Sequence, residues 1–236
     1  MDTGTASVSS RTAQVISSRS CGPDAFLLEL EVDKALPSCS PGVFAMLSPA
    51  DGSGPVLSRP FSLYDLTGPN RLSFLIQVIG CGTRVLEDLP VGAGVQLTFP
   101  LGNGFTLPEK DRPVVLVAGG VGSAPFLQYA RQREVSVKDG QTWFLFGGRT
   151  ADRLYDHQSF LDLGVSTLLA TDDGSKGFHG NVVQCLAAEL DAGRIPDSAL
   201  FCACGPAGLL HGFADFARQR NLEAQISLET FMGCGF

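Results

Sequence analysis

The stretch Val114–Ala118 and the turn after it constrain the fold more than any other part of the sequence. The five residues of this stretch, VVLVA, are all apolar, which is typical of a parallel strand buried on both faces of a sheet. The following turn, GGVGSAP from Gly119 to Pro125, leads into a helical stretch. Glycines between a buried strand and a helix let a diphosphate approach the free N–H groups of the helix. Taken alone, the motif is also compatible with a tight turn that binds nothing.

The rest of the second half alternates strand-like and helical stretches. Apolar runs recur at 142–146, 166–170, 199–203 and 224–228, and helical stretches lie near 124–134, 151–161, 182–190 and 207–220. This order predicts a doubly wound parallel sheet with right-handed crossovers over residues 114–228.

The first half has a different rhythm. Short segments such as AFLLELE, LSFLIQV and VQLTF are separated by Gly, Pro, Ser and Asp, and Leu72, Phe74, Ile76 and Val78 alternate with more variable neighbours. Several short strands with turn signals between them predict a small antiparallel β-barrel or sandwich over residues 11–107. The charged, proline-bounded segment 108–113 is the expected linker, and residues 1–10 are expected to form a disordered polar tail.

The composition excludes several classes of function. The net charge of −7 and the lack of any basic run argue against a nucleic-acid partner. No apolar stretch approaches the roughly 20 residues needed to span a bilayer, and the start MDTGTASVSS lacks the apolar core of a secretory signal. We therefore expect no membrane association and a cytoplasmic location. Seven cysteines without a CxxC pair and three separated histidines do not indicate a zinc site.

The segment RPFS, Arg59 to Ser62, is a further candidate site. An arginine can hold a diphosphate, Phe61 could face a ring, and the Ser62 hydroxyl could reach a ring nitrogen. Because alternate residues of a strand point to the same side, Arg59 and Phe61 would share a face. An ordinary strand is the alternative.

Three more turns are candidates for ligand contact. GCGT, Gly80 to Thr83, is a glycine-plus-hydroxyl turn into a short helix and a possible anion site. CGP, Cys204 to Pro206, follows an apolar strand whose end would face a ligand crevice, and LGNGF would let the chain pass close to a bound group. Each is also compatible with a plain turn, CGP with proline at the first helical position.

Together and in this order, these motifs resemble the ferredoxin-reductase family of flavoproteins over nearly the whole chain, from about Ala13 to Phe236. The resemblance implies an N-terminal FAD-binding β-barrel, a doubly wound NAD(P)-binding domain, and FAD and NAD(H) as cofactors. It implies that Ser62, near flavin N5, and Cys204, near the nicotinamide, take part in hydride transfer. It also implies a set of cofactor-binding residues: Arg59, Pro60, Phe61, Ser62, Gln77, Val78, Gly82, Thr83, Gly119, Gly120, Gly122, Arg149, Cys204, Gly205 and Pro206.

Within that family, VIGCGTRVLEDL, FPLGNGF and SLETFMGCGF resemble the electron-transfer subunits of class 1B, NAD-dependent dihydroorotate dehydrogenases. The resemblance implies an FMN-containing catalytic subunit as partner, in a heterotetramer that serves pyrimidine biosynthesis. It also implies that Cys234 is the first ligand of a [2Fe–2S] cluster. The other three ligands of that pattern are absent, and one thiolate cannot hold a cluster. We therefore expect the cluster only if the chain continues beyond Phe236, so that residues 229–236 would be the start of a truncated cluster segment.

Some alternatives stay open at this point. Arg149, after the second strand of the nucleotide domain, could receive the 2′-phosphate of NADP or lie over an adenine, although the resemblance favours NADH. A stand-alone ferredoxin– or flavin–NAD(P) reductase and a non-catalytic module that retains the fold are the competing functions.

Overall fold

The computed structural model describes residues 8–53, 57–133 and 140–228. The chain divides into two compact units, and the division falls between Gly104 and Phe105. Residues 108–113, the expected linker, lie within the second unit. The predicted cluster segment with Cys234 lies outside the described residues.

The first unit is a seven-stranded sheet in which every neighbouring pair of strands is antiparallel. The strand order is β4-β3-β7-β1-β2-β6-β5. The strands are β1 Ser9–Gly22, β2 Ala25–Glu31, β3 Phe44–Pro49, β4 Arg59–Ser62, β5 Asp65–Gly68, β6 Arg71–Gln77 and β7 Gly94–Leu101. β1 thus begins within the stretch that was expected to be a tail.

This sheet curls strongly. β4 and β5 are its two edge strands, yet only Leu63 and Tyr64 connect them. Such a connection spans about 10 Å at most, so the two edges must come close together. The curled antiparallel sheet confirms the fold predicted for the first half.

The interior of the curled sheet is filled by the alternating side chains that the sequence pattern indicated. Leu72, Phe74 and Ile76 of β6 are at most 1% exposed and belong to one continuous core. Helix α1, Cys81–Glu87, follows β6 and adds Leu86 to that core. The packing of α1 against the sheet fixes the position of its first turn.

The second unit is a six-stranded sheet in which every neighbouring pair of strands is parallel. The strand order is β11-β10-β9-β8-β12-β13. The strands are β8 Val114–Gly119, β9 Thr142–Gly148, β10 Ser166–Thr171, β11 Phe178–His179, β12 Leu200–Cys204 and β13 Ala224–Ser227. The helices are α2 Ala124–Gln132, α3 Gln158–Asp162, α4 Val182–Asp191 and α5 Ala207–Gln219.

Helices cover both faces of the parallel sheet. On one face, Phe126 of α2 and Phe160 of α3 contact the ring of Phe144 in β9. The next residue of β9, Leu145, points to the opposite face and packs with α4 and α5. This arrangement confirms the predicted doubly wound fold. The strand order reverses between β8 and β12, where open α/β sheets bind their ligands.

The helix expected near 151–161 is broken in the structure. A 3₁₀ turn covers Ala151–Arg153, and α3 begins only at Gln158. Asp156 between them has φ +49°, a left-handed conformation that a helix does not accept. Throughout the described ranges, every helix is too short or too polar to cross a membrane.

Candidate functional site

Arg59 begins β4, and its guanidinium group lies over the first turn of α1. A Cβ at position 82 would fall 2.3 Å from Arg59 Cζ, so a side chain there would displace the guanidinium group. Arg59 Nη1 also donates a hydrogen bond to the carbonyl oxygen of Leu57 at 2.8 Å. The structure therefore brings RPFS and GCGT together and places a positive charge beside the first turn of α1.

The hydroxyl group of Thr83 stabilises the start of α1. It accepts hydrogen bonds from the N–H groups of Ile79 and Gly80, at 3.0 and 3.2 Å, and donates to the Gly80 carbonyl at 3.1 Å. One donor and two lone pairs are the full capacity of a hydroxyl. The hydroxyl is therefore fully used within the turn, and a direct contact between Thr83 and a diphosphate stays a prediction. In a capping box the side chain at the third helical position bonds back to the N-cap N–H, and Thr83 does this here although the pattern usually has Glu or Gln there.

The other residues of RPFS divide between the two faces of β4. Phe61 lies opposite Ala45 and packs against the core of the curled sheet, on the same face as Arg59. Ser62 lies opposite Phe44 on the other face, and Pro60 is exposed. The roles of Phe61 along the flavin and of Ser62 near N5 stay predictions.

Gln77 and Val78 connect β6 to the GCGT turn, and both bind Asp24. Gln77 Nε2 donates to Asp24 Oδ2 at 2.9 Å, and the Val78 N–H donates to the Asp24 carbonyl at 2.8 Å. These bonds fix the approach to α1. A cofactor contact from Gln77 or Val78 stays a prediction.

In the second unit, the two candidate turns pack backbone against backbone. A Cβ at Gly122 would fall 2.5 Å from both the Cys204 carbonyl oxygen and Gly205 Cα. A Cβ at Gly205, where φ is +153°, would fall 3.1 Å from the Gly119 nitrogen. GGVGSAP and CGP therefore lie side by side at the switch point between β8 and β12, as their order in the sequence suggested.

Gly120 is the glycine of this turn that faces open space. Its φ is +55°, and a Cβ there would meet nothing within 4 Å. Gly119 instead faces Leu209 and Pro206, and Gly122 faces the Cys204 turn. Gly122 was expected to leave room beneath a diphosphate. In the structure, protein backbone occupies the space beside Gly122, whereas Gly120 faces open space just ahead of α2. A coenzyme contact at either glycine stays a prediction.

Arg149 is exposed directly after β9, next to a turn that the sequence motifs did not indicate. The carbonyl of Arg149 accepts the N–H of Asp173 at 3.2 Å, and the Ala151 N–H donates to Ser175 Oγ at 2.8 Å. Ser175 Oγ donates to Asp173 Oδ1 at 2.6 Å, a bond that holds the pKa of that carboxyl below its ordinary value. The D-G pair in 172–176 was the available signal.

The cysteines of β12 are deeply buried. Cys204 is 1% exposed, and its carbonyl oxygen rather than its thiol faces Gly122. Cys202 Sγ lies 3.9 Å from the Tyr129 hydroxyl, and burial raises the pKa of the Cys202 thiol to about 12. The Cys202 thiol is therefore protonated at neutral pH, and a catalytic role for Cys204 stays a prediction.

A metal site was expected only in the segment that begins with Cys234, which lies beyond the described residues. Within residues 8–53, 57–133 and 140–228, no group of three or more His, Cys, Asp or Glu side chains is placed to hold a metal ion. In these ranges, Cys81, Cys185 and Cys202 are free thiols.

The second unit, with its two turns at the switch point, also matches a known protein family. Residues 116–215 match the model of the oxidoreductase NAD-binding domain. This range includes both turns at the switch point.

Similarity to known proteins extends over both units. The chain is 30% identical over 224 residues to the electron transfer subunit of dihydroorotate dehydrogenase B (NAD(+)) from Desulforamulus reducens, covering 94% of this chain and 84% of that protein. It is 33% identical over 196 residues to the same subunit from Clostridium acetobutylicum, covering 83% and 73%. A solved structure of an NADH-dependent reduced ferredoxin–NADP oxidoreductase superposes with a TM-score of 0.80 at 22% identity, covering 94% and 78%.

Proposed function

This chain belongs to the family of electron transfer subunits of dihydroorotate dehydrogenase B (NAD(+)), and we propose that it carries electrons from NADH to FAD and onward to the catalytic subunit of that enzyme. One observation carries the proposal: the guanidinium of Arg59 lies over Gly82 in a cradle that any side chain would fill. The relatives are electron transfer subunits of an NAD(+) enzyme, which supports the coenzyme and the partner.

The cradle at Arg59 fits the diphosphate of FAD. Arg59 would pair with the phosphate oxygens, and the first-turn N–H groups of α1 would add hydrogen bonds and the positive end of a helix dipole. Thr83 contributes indirectly, because its hydroxyl holds the turn from Ile79 to Gly80 in place. When bound, FAD supplies the chemistry of accepting a hydride and releasing electrons singly. The contribution of the protein is to bind and orient it.

The switch point of the second unit fits the diphosphate of a nicotinamide coenzyme. Gly120 leaves the approach to α2 open, and the packing of Gly122 on the Cys204 turn fixes the distance between the two turns. By family resemblance, Gly205 and Pro206 would border the nicotinamide. The chain's own part is to hold the coenzyme still, because hydride transfer depends on close alignment of donor and acceptor.

NADH fits better than NADPH. The turn that contains the acidic Asp173 is bonded to the backbone of Arg149, at the end of β9. A carboxylate there disfavours the additional negative charge of a 2′-phosphate. The relatives are subunits of an NAD(+) enzyme, which agrees with this choice.

The partner in this proposal is the FMN-containing catalytic subunit, which would receive the electrons during pyrimidine biosynthesis. The [2Fe–2S] cluster of the family would belong to the segment that begins with Cys234. The free thiols in the described ranges support a reducing compartment, and a cytoplasmic location is part of the proposal.

The test uses the purified chain incubated with FAD and then desalted. We expect retained flavin absorbance and its loss when NADH is added without oxygen. Arg59→Met should retain less FAD. Arg84→Met removes an exposed arginine of α1 instead and should retain as much FAD as the parent chain. A colourless protein after incubation with FAD would overturn the proposal in favour of a non-catalytic module. Full activity with small acceptors, with no gain from the catalytic subunit, would favour the stand-alone reductase.

A further inference from the structure

Two large apolar side chains near the Arg59 guanidinium are exposed to solvent. Ile79 is 82% exposed, more than any other large apolar side chain in the described ranges, and Leu57 is 60% exposed. These two residues are together called the apolar pair. Single exposed apolar side chains are common on protein surfaces, so the position of the pair, and not its exposure alone, carries the inference.

Leu57 lies just before β4 and contacts the guanidinium through its backbone. Its carbonyl oxygen accepts the hydrogen bond from Arg59 Nη1 at 2.8 Å. The next residue, Ser58, bonds to the hydroxyl of Ser48 in β3 at 3.2 Å, so the chain is held on that side as well. The backbone of Leu57 is therefore fixed next to the group that the proposed function assigns to the diphosphate of FAD, while its side chain stays in solvent.

Ile79 approaches the same guanidinium from a different chain segment. It follows β6, and its N–H donates to Thr83 Oγ1 at 3.0 Å. Gly82, directly before Thr83, is the residue over which the Arg59 guanidinium lies. The two members of the apolar pair therefore belong to the two segments that meet at Arg59, and hydrogen bonds hold the backbone of each.

FAD has a planar ring system on each side of its diphosphate. One ribose separates the diphosphate from adenine, and the ribityl chain separates it from the isoalloxazine. The isoalloxazine is expected along Phe61 and near Ser62, which follow Arg59 in β4. Leu57 precedes Arg59 and so lies on the other side of it along the chain. The apolar pair is therefore on the side of the diphosphate where adenine is expected.

We propose that Leu57 and Ile79 bind the adenine ring of FAD, and that this contact makes the first unit select FAD over FMN, which lacks the adenosine. The inference rests on the proposed function, in which Arg59 holds the FAD diphosphate. The faces of adenine are flat and form no hydrogen bonds, so aliphatic side chains can cover them by dispersion and burial of apolar area. Because the backbone of the pair is already fixed, less entropy is lost on binding.

The experiment measures the dissociation constants of FAD and FMN for the FAD-free chain by flavin fluorescence. Ile79→Ser and Leu57→Ser should each raise the dissociation constant for FAD about five- to tenfold and leave that for FMN within about twofold. Both side chains are exposed, so neither change should affect folding. An unchanged FAD affinity in both variants would overturn the proposal and leave the pair as a contact for another protein. An equal loss of FAD and FMN affinity would overturn it too, because the group contacted would then be one that both flavins share.

Two further variants test the chemistry and the position of the pair. Ile79→Met retains a long apolar side chain and should bind FAD like the parent chain. Val91→Ser removes a side chain that is 72% exposed in the loop between α1 and β7, beyond the end of α1 that is remote from GCGT, and should not change FAD affinity. A loss in Val91→Ser equal to that in Ile79→Ser would contradict the proposal, because surface apolarity in general would then control binding.

ADP provides a readout without the flavin, which also decides the question if FMN binds too weakly to titrate. ADP carries the diphosphate and the adenosine, so it should displace FAD from the parent chain and bind Ile79→Ser about five- to tenfold more weakly. An equal ADP affinity of the two chains would contradict a contact with adenine. A parent chain that binds neither FAD nor ADP would refute the proposed function itself, whereas a parent chain that binds FAD no better than Ile79→Ser does would refute only the adenine contact.

Discussion

The guanidinium of Arg59 and the backbone of Gly82 lie so close that a Cβ on Gly82 would fall 2.3 Å from Arg59 Cζ and 2.5 Å from its Nε. This contact joins a strand of the curled sheet to the start of α1. It explains why a glycine stands at the second helical position of GCGT. The atom that a side chain would displace is the far end of a flexible arginine, so the site would change more than the fold.

Gly82→Ala should therefore weaken FAD binding with little loss of stability. The new methyl group pushes the Arg59 guanidinium away from the helix start and removes a charge-assisted contact worth about 1.5–3 kcal/mol, or about 10- to 150-fold in FAD affinity. Titration of the FAD-free chain with FAD measures this. Gly80→Ala is the control, because a Cβ at Gly80 would meet nothing within 4 Å. Equal FAD affinity of the two variants would contradict the proposal that FAD binds between Arg59 and Gly82.

Thr83→Val should lower the stability of the first unit even without FAD. The substitution keeps the shape of the side chain but leaves the N–H groups of Ile79 and Gly80 without their acceptor, at a cost of about 1–3 kcal/mol in the free energy of unfolding. Thr83→Ser retains the hydroxyl and should unfold like the parent chain. Urea denaturation followed by circular dichroism compares them. A normal stability of Thr83→Val combined with lost FAD binding would instead support a direct contact between this hydroxyl and FAD.

The fold of each unit could be predicted from the sequence, because it depends on the pattern of apolar residues within single strands and helices. Alternation in LSFLIQV predicted a half of antiparallel strands, and the continuous apolar run VVLVA predicted a parallel sheet. Order along the chain also placed GGVGSAP and CGP at neighbouring strand ends.

What the sequence could not provide is the identity of distant partners. Gly122 and Gly120 look equivalent in GGVGSAP, yet one faces the backbone of Cys204 and the other faces open space. The charged segment 108–113 looks like a linker, but Arg133, more than twenty residues later, holds its carbonyls. Such assignments depend on tertiary contacts that leave no local pattern.

The two glycines should respond differently to substitution. Gly122→Ala forces a methyl group against the Cys204 turn, so it should lower both stability, by about 1–3 kcal/mol, and NADH affinity. Gly120→Asn suits a φ of +55° and should fold almost normally, but its side chain enters the space ahead of α2. Thermal unfolding and NADH titration should show a joint loss in the first variant and a loss of affinity alone in the second. Normal NADH binding by Gly120→Asn would contradict a coenzyme site beside Gly120.

Glu189 and Arg194 should make the stability of the second unit depend on pH. Arg194 Nε and Nη2 donate to the two oxygens of Glu189, at 2.6 and 2.8 Å, and these bonds hold the pKa of Glu189 below its ordinary value. The contribution is therefore complete above the pKa of the unfolded chain and is lost as pH falls through the folded pKa. Because Arg194 is largely exposed, Glu189→Gln should lower the free energy of unfolding at pH 7 by only about 0.5–1 kcal/mol. The difference between variant and parent should vanish in strong acid, and a difference that persists there would contradict the ion pair.

Cys81 should report occupation of the FAD site. It is exposed in the first turn of α1 and directly precedes Gly82, whereas Cys185 and Cys202 are buried, and burial raises the pKa of their thiols to about 11 and about 12. Brief treatment of the native chain with iodoacetamide should therefore modify Cys81 and leave Cys185 and Cys202 unmodified, as read by peptide mass spectrometry. Added FAD should slow the modification of Cys81 severalfold but not that of Cys21, a partly exposed thiol on β1. Equal protection of Cys81 and Cys21, or none, would mean that FAD does not bind beside the start of α1.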